Sequence, residues 1–391
     1  MELEAWHLLA LPLLFVAGWY AAHFDRRRRH GDAGALPQSM FRGLNRLLSE
    51  QPDKAIDAFI EVAKLDPETI ELHFALGSLF RRRGEVDRAV RIHTHLLNRA
   101  DLPARQRSTA LAELGQDFLA GGLLDRAEDA FGRLVDDPAH RLTALRALAR
   151  LYQMERDWDK SIDCARRLER EAGESHHVEI AHFHCELAQQ ALGQGNLARA
   201  QQHLDEALAT HRRSVRATIL AGDLAARREA RDEAIRQWLK LESLAPDYLA
   251  LVAERLTSAL DAAGRRGEAL NLLRRSLLDH PSIDLLDVAA RRVGEWEGPA
   301  AAEALLRDEL ARNPSLLGFD KLLALRSRAA GGDSELEPLR PLLHAPTRQI
   351  ARFRCGKCGF RAREFHWQCI GCNSWDSTPP RRIEELDAAA A

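Results

Sequence analysis

The sequence predicts an all-α protein: a single transmembrane helix, a superhelix of about eight helix pairs, and a small C-terminal metal module. Three observations predict it. Ala, Leu, Arg and Glu dominate a chain of 391 residues that holds only 3 Tyr, a usage that favours helix nearly throughout. Small residues recur at a spacing near 34 through the middle of the chain. Four of its 6 cysteines stand in two Cys-x-x-Cys pairs close to the C-terminus. Lys plus Arg (56) and Asp plus Glu (58) nearly balance, which argues against a nucleic-acid binder that works through overall positive field.

The first element spans residues 1–24. From Ala5 to Phe24 the only ionisable side chains are His7 and His23, and a helix of that length is about 30 Å long, enough to cross a bilayer core. Trp6, Trp19 and Tyr20 suit the interfaces, and Pro12 and Gly18 are tolerated within such a helix. Glu2 and Glu4 precede the stretch and Arg26, Arg27, Arg28 and Arg29 follow it. Positive flanks stay in the cytoplasm, so the short N-terminus is expected outside and the bulk of the chain in the cytoplasm. A cleaved signal peptide needs the opposite charge order and a small-residue cleavage site, which bulky basic residues do not supply. Residues 25–35 then read as a basic juxtamembrane linker.

The middle, residues 36–314, repeats itself. Ala55, Ala89, Ala127, Ser161, Ala200, Ala234, Ala269 and Ala302 recur at intervals of 33 to 39 residues. Twelve positions earlier stand Gly43, Gly77, Gly115, Ala149, Ala188 and Gly222; five earlier, Gly84, Gly122, Gly195 and Gly264; twelve later, Pro67, Pro246, Pro281 and Pro314. The small residues let two helices of a hairpin approach, the glycines end the first helix in a left-handed turn, and the prolines stop the second. Phe59, Phe131, Leu204, Trp238 and Leu273, four after the small residue, are expected to fill the space between repeats. This pattern resembles the tetratricopeptide repeat, with loop insertions expected at 100–107 and 173–178 and a degenerate eighth repeat as a cap. Residues 315–350 read as a helical connector.

Stacked repeats of this kind form a binding groove. First-helix positions that line it in the repeat family place Phe74, Arg81, Arg146, Arg150, Gln153, Gln189 and Arg216 on a candidate partner-binding surface. Arginines with an apolar entry suit a peptide of acidic and apolar residues; a solvated helix face is the alternative for any one of them. No catalytic constellation stands out: the chain lacks a P-loop, an HExxH and a GxSxG. His176, His177, His182, His184 and Cys185 crowd one segment, but the helical register sends His184 to the hairpin interior and His182 and Cys185 to the groove. Cys164 reads as a buried apolar residue. The chain is expected to be a non-enzyme.

The chemistry of the C-terminus lies in Cys355, Cys358, Cys369 and Cys372, within a module at 351–378. Two such pairs supply four thiolates to one tetrahedral ion, iron or zinc, and a segment so short needs the metal to fold. Two disulfides, or cysteines as apolar filler, are the competing reading, which a reducing compartment disfavours. Phe360, Phe365, Trp367 and Trp375 read as a small core over the metal, with nucleic-acid stacking or protein contact as the other uses of such rings. These rings alternate with Lys357, Arg361 and Arg363 over a stretch that suits a short hairpin, and residues 379–391 read as a flexible tail. Cys-x-x-Cys-Gly-Phe resembles rubredoxin and the related zinc ribbons, whereas Cys-Ile-Gly-Cys-Asn departs from rubredoxin in lacking the proline and the final glycine.

One membrane helix, a repeat array and a rubredoxin-like module, with the Cys-Gly-x-Cys-Gly-Phe and Trp-x-Cys-x-x-Cys-x-x-Trp signatures, together resemble the lipopolysaccharide assembly protein B family of Gram-negative bacteria. The resemblance implies a regulatory adaptor at the bacterial inner membrane. Its partners would be the deacetylase of the lipid A pathway, which it presents for degradation, the membrane-anchored AAA protease, and other synthesis or signalling membrane proteins, with no nucleic acid. A general scaffold for envelope-synthesis enzymes, without control of proteolysis, is the second reading.

Overall fold

The computed structural model describes residues 70–329, 343 and 347–388. The predicted membrane span, the basic linker and the first repeat around Ala55 lie outside these residues, as does most of 330–346. Among the described residues no helix is long and apolar enough to cross a membrane. The chain divides into two compact units, Met1–Leu151 and Tyr152–Ala391.

The first unit contains hairpins α1 (Ile70–Arg82) with α2 (Val86–Leu97) and α3 (Ala104–Ala120) with α4 (Leu124–Gly132), then the start of α5 (Arg141–Glu155). The small residues act as the spacing predicts. A Cβ on Gly77 would lie 2.3 Å from His93 Nε2, and one on Gly115 would lie 2.8 Å from the ring of Phe131. Phe131, Leu72, Leu96 and Leu145 are fully buried. Inside this unit His93 Nδ1 meets Asp117 at 2.5 Å, and Arg81 spans Asp117 (2.7 Å) and Glu113 (2.6 Å). A carboxylate sealed in a helix interface is tolerable only when paired in this way.

The second unit continues with α6 (Trp158–Ala172), the hairpins α7 (His177–Gly193) with α8 (Leu197–Thr210) and α9 (Val215–Arg227) with α10 (Arg231–Leu239), and the single turn α11 (Leu241–Leu244). Pro246 then opens a 3-10 turn to Leu251, as a proline at a first helical position should. The hairpins α12 (Ala253–Ala262) with α13 (Arg266–Asp279) and α14 (Ile283–Trp296) with α15 (Pro299–Arg312) follow, and α16 (Leu316–Ala329) lies beyond the last repeat. Ala200, Leu204, Ala234, Trp238, Ala269 and Leu273 are all buried, as their repeat positions predict. Asn196, Ser214 and Ser282 cap α8, α9 and α14 by accepting backbone N–H bonds, each worth about 1 kcal/mol.

The turn glycines take φ of 71 to 82°. Where that glycine is missing, Arg156 and Glu229 turn in the same way, at φ 59° and 61°, whereas in the last repeat Glu297 stays at φ −115° and Gly298 takes the positive φ one residue later. The repeat geometry therefore imposes the left-handed turn on residues that do not favour it.

Strands β1 (Phe353–Arg354) and β2 (Arg361–Ala362) pair antiparallel, Phe353 opposite Ala362; the hairpin encloses the first knuckle, with β1 ahead of the stretch where the sequence suggested it. The flexible tail is corrected. Residues 379–388 are ordered, and Ile383–Ala388 forms a helix, α17, with Ile383 buried. The charges just before it are fixed by partners far off in the sequence: Arg381 pairs with Asp247 (2.7 Å), and Arg382 with Asp284 through Nε and Nη2 (2.8 and 2.9 Å).

Candidate metal centre

The hairpin carries the first knuckle and the loop beyond it the second. Each knuckle closes by the same pair of backbone bonds. Cys355 donates to Phe360 O (2.9 Å) and Gly359 to Cys355 O (3.0 Å), while Cys369 donates to Ser374 O (2.9 Å) and Asn373 to Cys369 O (2.8 Å). Gly359 and Asn373, the residues after each second cysteine, both have positive φ, 73° and 55°. Asparagine is the side chain that best tolerates that conformation, so the departure from the rubredoxin pattern leaves the knuckle intact.

The four sulfurs lie within 4.8 Å of one another. Cys355 and Cys372 are 3.8 Å apart, Cys358 and Cys369 3.6 Å. Four thiolates around one ion at about 2.3 Å stand roughly 3.8 Å apart, whereas a disulfide holds its sulfurs at about 2 Å. The residues present fit a tetrahedral metal ion and not a pair of disulfides. Ionisation is uneven among the four: burial opposes charge on Cys355, but the Ser377 hydroxyl and the amides of Cys358 and Lys357 hold its thiol down at about 6, and hydrogen bonds from Ser374 lower Cys372, whereas Cys358, despite the Phe360 amide, and Cys369, through burial, are raised. Elsewhere burial dominates, pushing Cys164 up to about 11 and Cys185 to about 12; those thiols are packing groups. Bound iron or zinc would supply a charge-neutralising crosslink between the knuckles.

The aromatic residues divide in a way the small-core reading missed. Phe365 packs edge-on against Phe353 and Trp367, but Phe360 is 41% exposed over Gly371. Both tryptophans turn away from the metal and into the repeats, because so small a module offers too little apolar volume to bury them. Trp375 is buried against Trp158, Phe183 and His182, and its indole N–H donates to Gln153 (3.3 Å). Trp367 stacks on Tyr248, with centroids 5.5 Å apart and planes at 8°. Arg216 lies over both rings and donates to Glu186 and Gln189. His182 meets Asp376 at 2.9 Å. Glu385 accepts from the Ile283 amide and Glu384 from those of Leu316 and Leu317, so the tail helix caps the N-termini of α14 and α16.

These contacts relocate several residues assigned to the groove. Gln153 and Arg216 hold the chain's own module, and Gln189 supports Arg216. In the first unit Arg81 is committed to Glu113 and Asp117, and Phe74 is half-buried beside His93. Arg146 and Arg150 on α5 are exposed. The histidine segment is dispersed: His177 faces His211, His184 faces His203 and His182 faces Asp376. The four cysteines are the only metal-holding group of three or more residues among the described residues. Sequence reasoning missed Trp158, Tyr248 and the tail. The available signal was a tryptophan on each side of the second knuckle, more ring surface than a 28-residue module can cover.

Fold and site together define a tetratricopeptide-repeat protein with a C-terminal tetrathiolate metal module. The family described as rubredoxin metal binding domain matches residues 353–379, and tetratricopeptide-repeat families match 72–107 and 185–248. Lipopolysaccharide assembly protein B of Escherichia coli K12 is 35% identical over 96% of this chain and 97% of its own length. The protein of the same name from Haemophilus influenzae is 29% identical over 96% of this chain and 98% of its own. Among solved structures, Naa15/Naa10 bound to HypK-THB is similar at a TM-score of 0.41 and 16% identity, over 74% of this chain and 44% of that one. The chain belongs to the lipopolysaccharide assembly protein B family.

Proposed function

We propose that this protein acts in lipopolysaccharide assembly as a membrane-tethered, non-enzymatic adaptor that presents the lipid A-pathway deacetylase to a membrane-anchored AAA protease. Full-length similarity to lipopolysaccharide assembly protein B carries this reading. The architecture supports it, since helical repeats offer partner surface and the metal centre is built from four thiolates with no open ligand position. The span at 1–24 would confine that surface to the inner membrane, with the repeats in the cytoplasm. Holding a soluble client beside a membrane protease raises its effective concentration with no new contact between them. The exposed Arg146 and Arg150 are the groove positions best placed to meet an acidic client.

Co-purification from detergent extracts tests this. The intact chain should retain both deacetylase and protease, and Arg146→Glu with Arg150→Glu should lose the deacetylase while keeping the protease. Recovery of envelope-synthesis enzymes with no protease would favour the general scaffold and overturn the adaptor.

A further inference from the structure

The second knuckle sits at the tip of a closed loop whose base is gripped by the repeats. Trp367 lies two residues before Cys369 and Trp375 three after Cys372. Across the base, Asp376 donates its amide to Trp367 O (3.0 Å), and Gln368 bridges Trp375. The base reaches the first knuckle too, because Gly356 donates to Ser377 O (2.7 Å) and Ser377 Oγ lies 3.3 Å from Cys355 Sγ. The tip thus has two of the four thiolates, and the base has the side chains that Tyr248, His182, Gln153 and Arg216 hold. Without a metal, only weak thiol contacts join the two knuckles through the sulfurs. Without the repeat contacts, only those few bonds within the module close the base and hold the knuckles together.

We propose that metal loading and docking of the module are a single linked equilibrium, so that the repeat residues Tyr248 and His182, which touch no ligand, act as positioning residues for the metal. Linkage makes the effect reciprocal. Whatever factor docking adds to metal affinity, metal adds to docking. Loss of the ion therefore weakens docking on the face at Gln153, His182 and Arg216 by the same factor, and so raises the fraction of chains in which that face is uncovered. The inference rests on the tetrathiolate centre and not on the adaptor reading.

Zinc-loaded full chain, given an excess of chromogenic chelator, tests it from both sides. Tyr248→Leu and Asp376→Asn, the latter at a positive φ of 47° that asparagine accepts, should each speed zinc release several-fold. The double variant should speed it roughly tenfold, within the usual range of coupling between sites. Reciprocally, hydrogen exchange on the unaltered chain should show residues 381–388, which contain no ligand, losing protection once zinc is removed. Should Tyr248→Leu lose its helical circular dichroism, Asp376→Asn and the exchange measurement decide. Release rates unchanged in folded variants, or a tail that stays protected without metal, would overturn the proposal.

Discussion

Gly222→Ala sets two well-measured effects against each other. In an exposed helix, exchanging glycine for alanine stabilises by about 1 kcal/mol, through lower backbone entropy in the unfolded chain and better helix propensity. Gly222 lies in α9, where an added Cβ would stand 2.3 Å from Trp238 Nε1, 2.5 Å from Cδ1 and 2.8 Å from Cε2. The indole has no easy retreat. Trp238 is 2% exposed, packs with Ile235, Leu256 and Ala269, and donates to Ile219 O at 3.3 Å. Moving it outward by about 1 Å forces strain of the kind that costs about 1–3 kcal/mol in packed cores, and it also stretches that hydrogen bond. The strain should win, leaving a net loss of about 1–2 kcal/mol and a melting midpoint lower by about 2–8 °C for a unit of this size. Thermal unfolding followed by circular dichroism measures it, with Gly267→Ala in α13 as the control, since a Cβ there meets nothing within 4 Å. The control should hold or raise the midpoint, and Trp238→Leu should restore much of what Gly222→Ala loses. A Gly222→Ala chain as stable as the control would refute the close-approach role of the repeat's small residue.

The other predictions follow from single observations. Arg156→Gly and Glu229→Gly should each stabilise by about 1 kcal/mol in urea unfolding, because they relieve a left-handed turn at φ 59° and 61°; a loss in both would contradict the imposed-turn account. Cys355→Ser should abolish metal content, measured by mass spectrometry, and leave the module unfolded and function lost, whereas a retained ion or retained function would not fit. Burial, with repulsion from His203 and Arg166, lowers the pKa of His184 from 6.5 to about 4. The folded chain thus binds fewer protons between those values, so stability present above pH 6.5 is lost as pH falls towards 4. The loss is about 2 kcal/mol after allowance for solvent screening, and His184→Gln should flatten that part of the pH profile.

The repeats were legible because their marks are local. Gly77, Gly115 and Gly222 each serve a partner sixteen residues away, within a single hairpin, and a period near 34 repeats that relation down the chain. The metal centre was legible because four thiolates at such spacings have little other use. Docking was not. Trp375 meets Gln153 across 222 positions and Arg382 meets Asp284 across 98, and no periodicity records such pairs. The tail misled for a related reason: Arg381, Arg382, Glu384 and Glu385 look like solvated charges until the carbonyls, amides and carboxylates they meet are known. Nor did sequence mark Arg156 and Glu229, since a left-handed turn carries a signature only when glycine occupies it. The seven groove positions came from a register shared by all such repeats, which cannot show that a chain fills part of its own groove.

The half-life of the lipid A-pathway deacetylase after protein synthesis is blocked tests the central functional claim most directly. It should be compared in cells with the intact chain, with a chain lacking residues 1–24, and with none. A tethered degradation adaptor predicts a short half-life with the intact chain and a long one in the other two. Equal half-lives in all three would contradict it and leave the general scaffold as the better account.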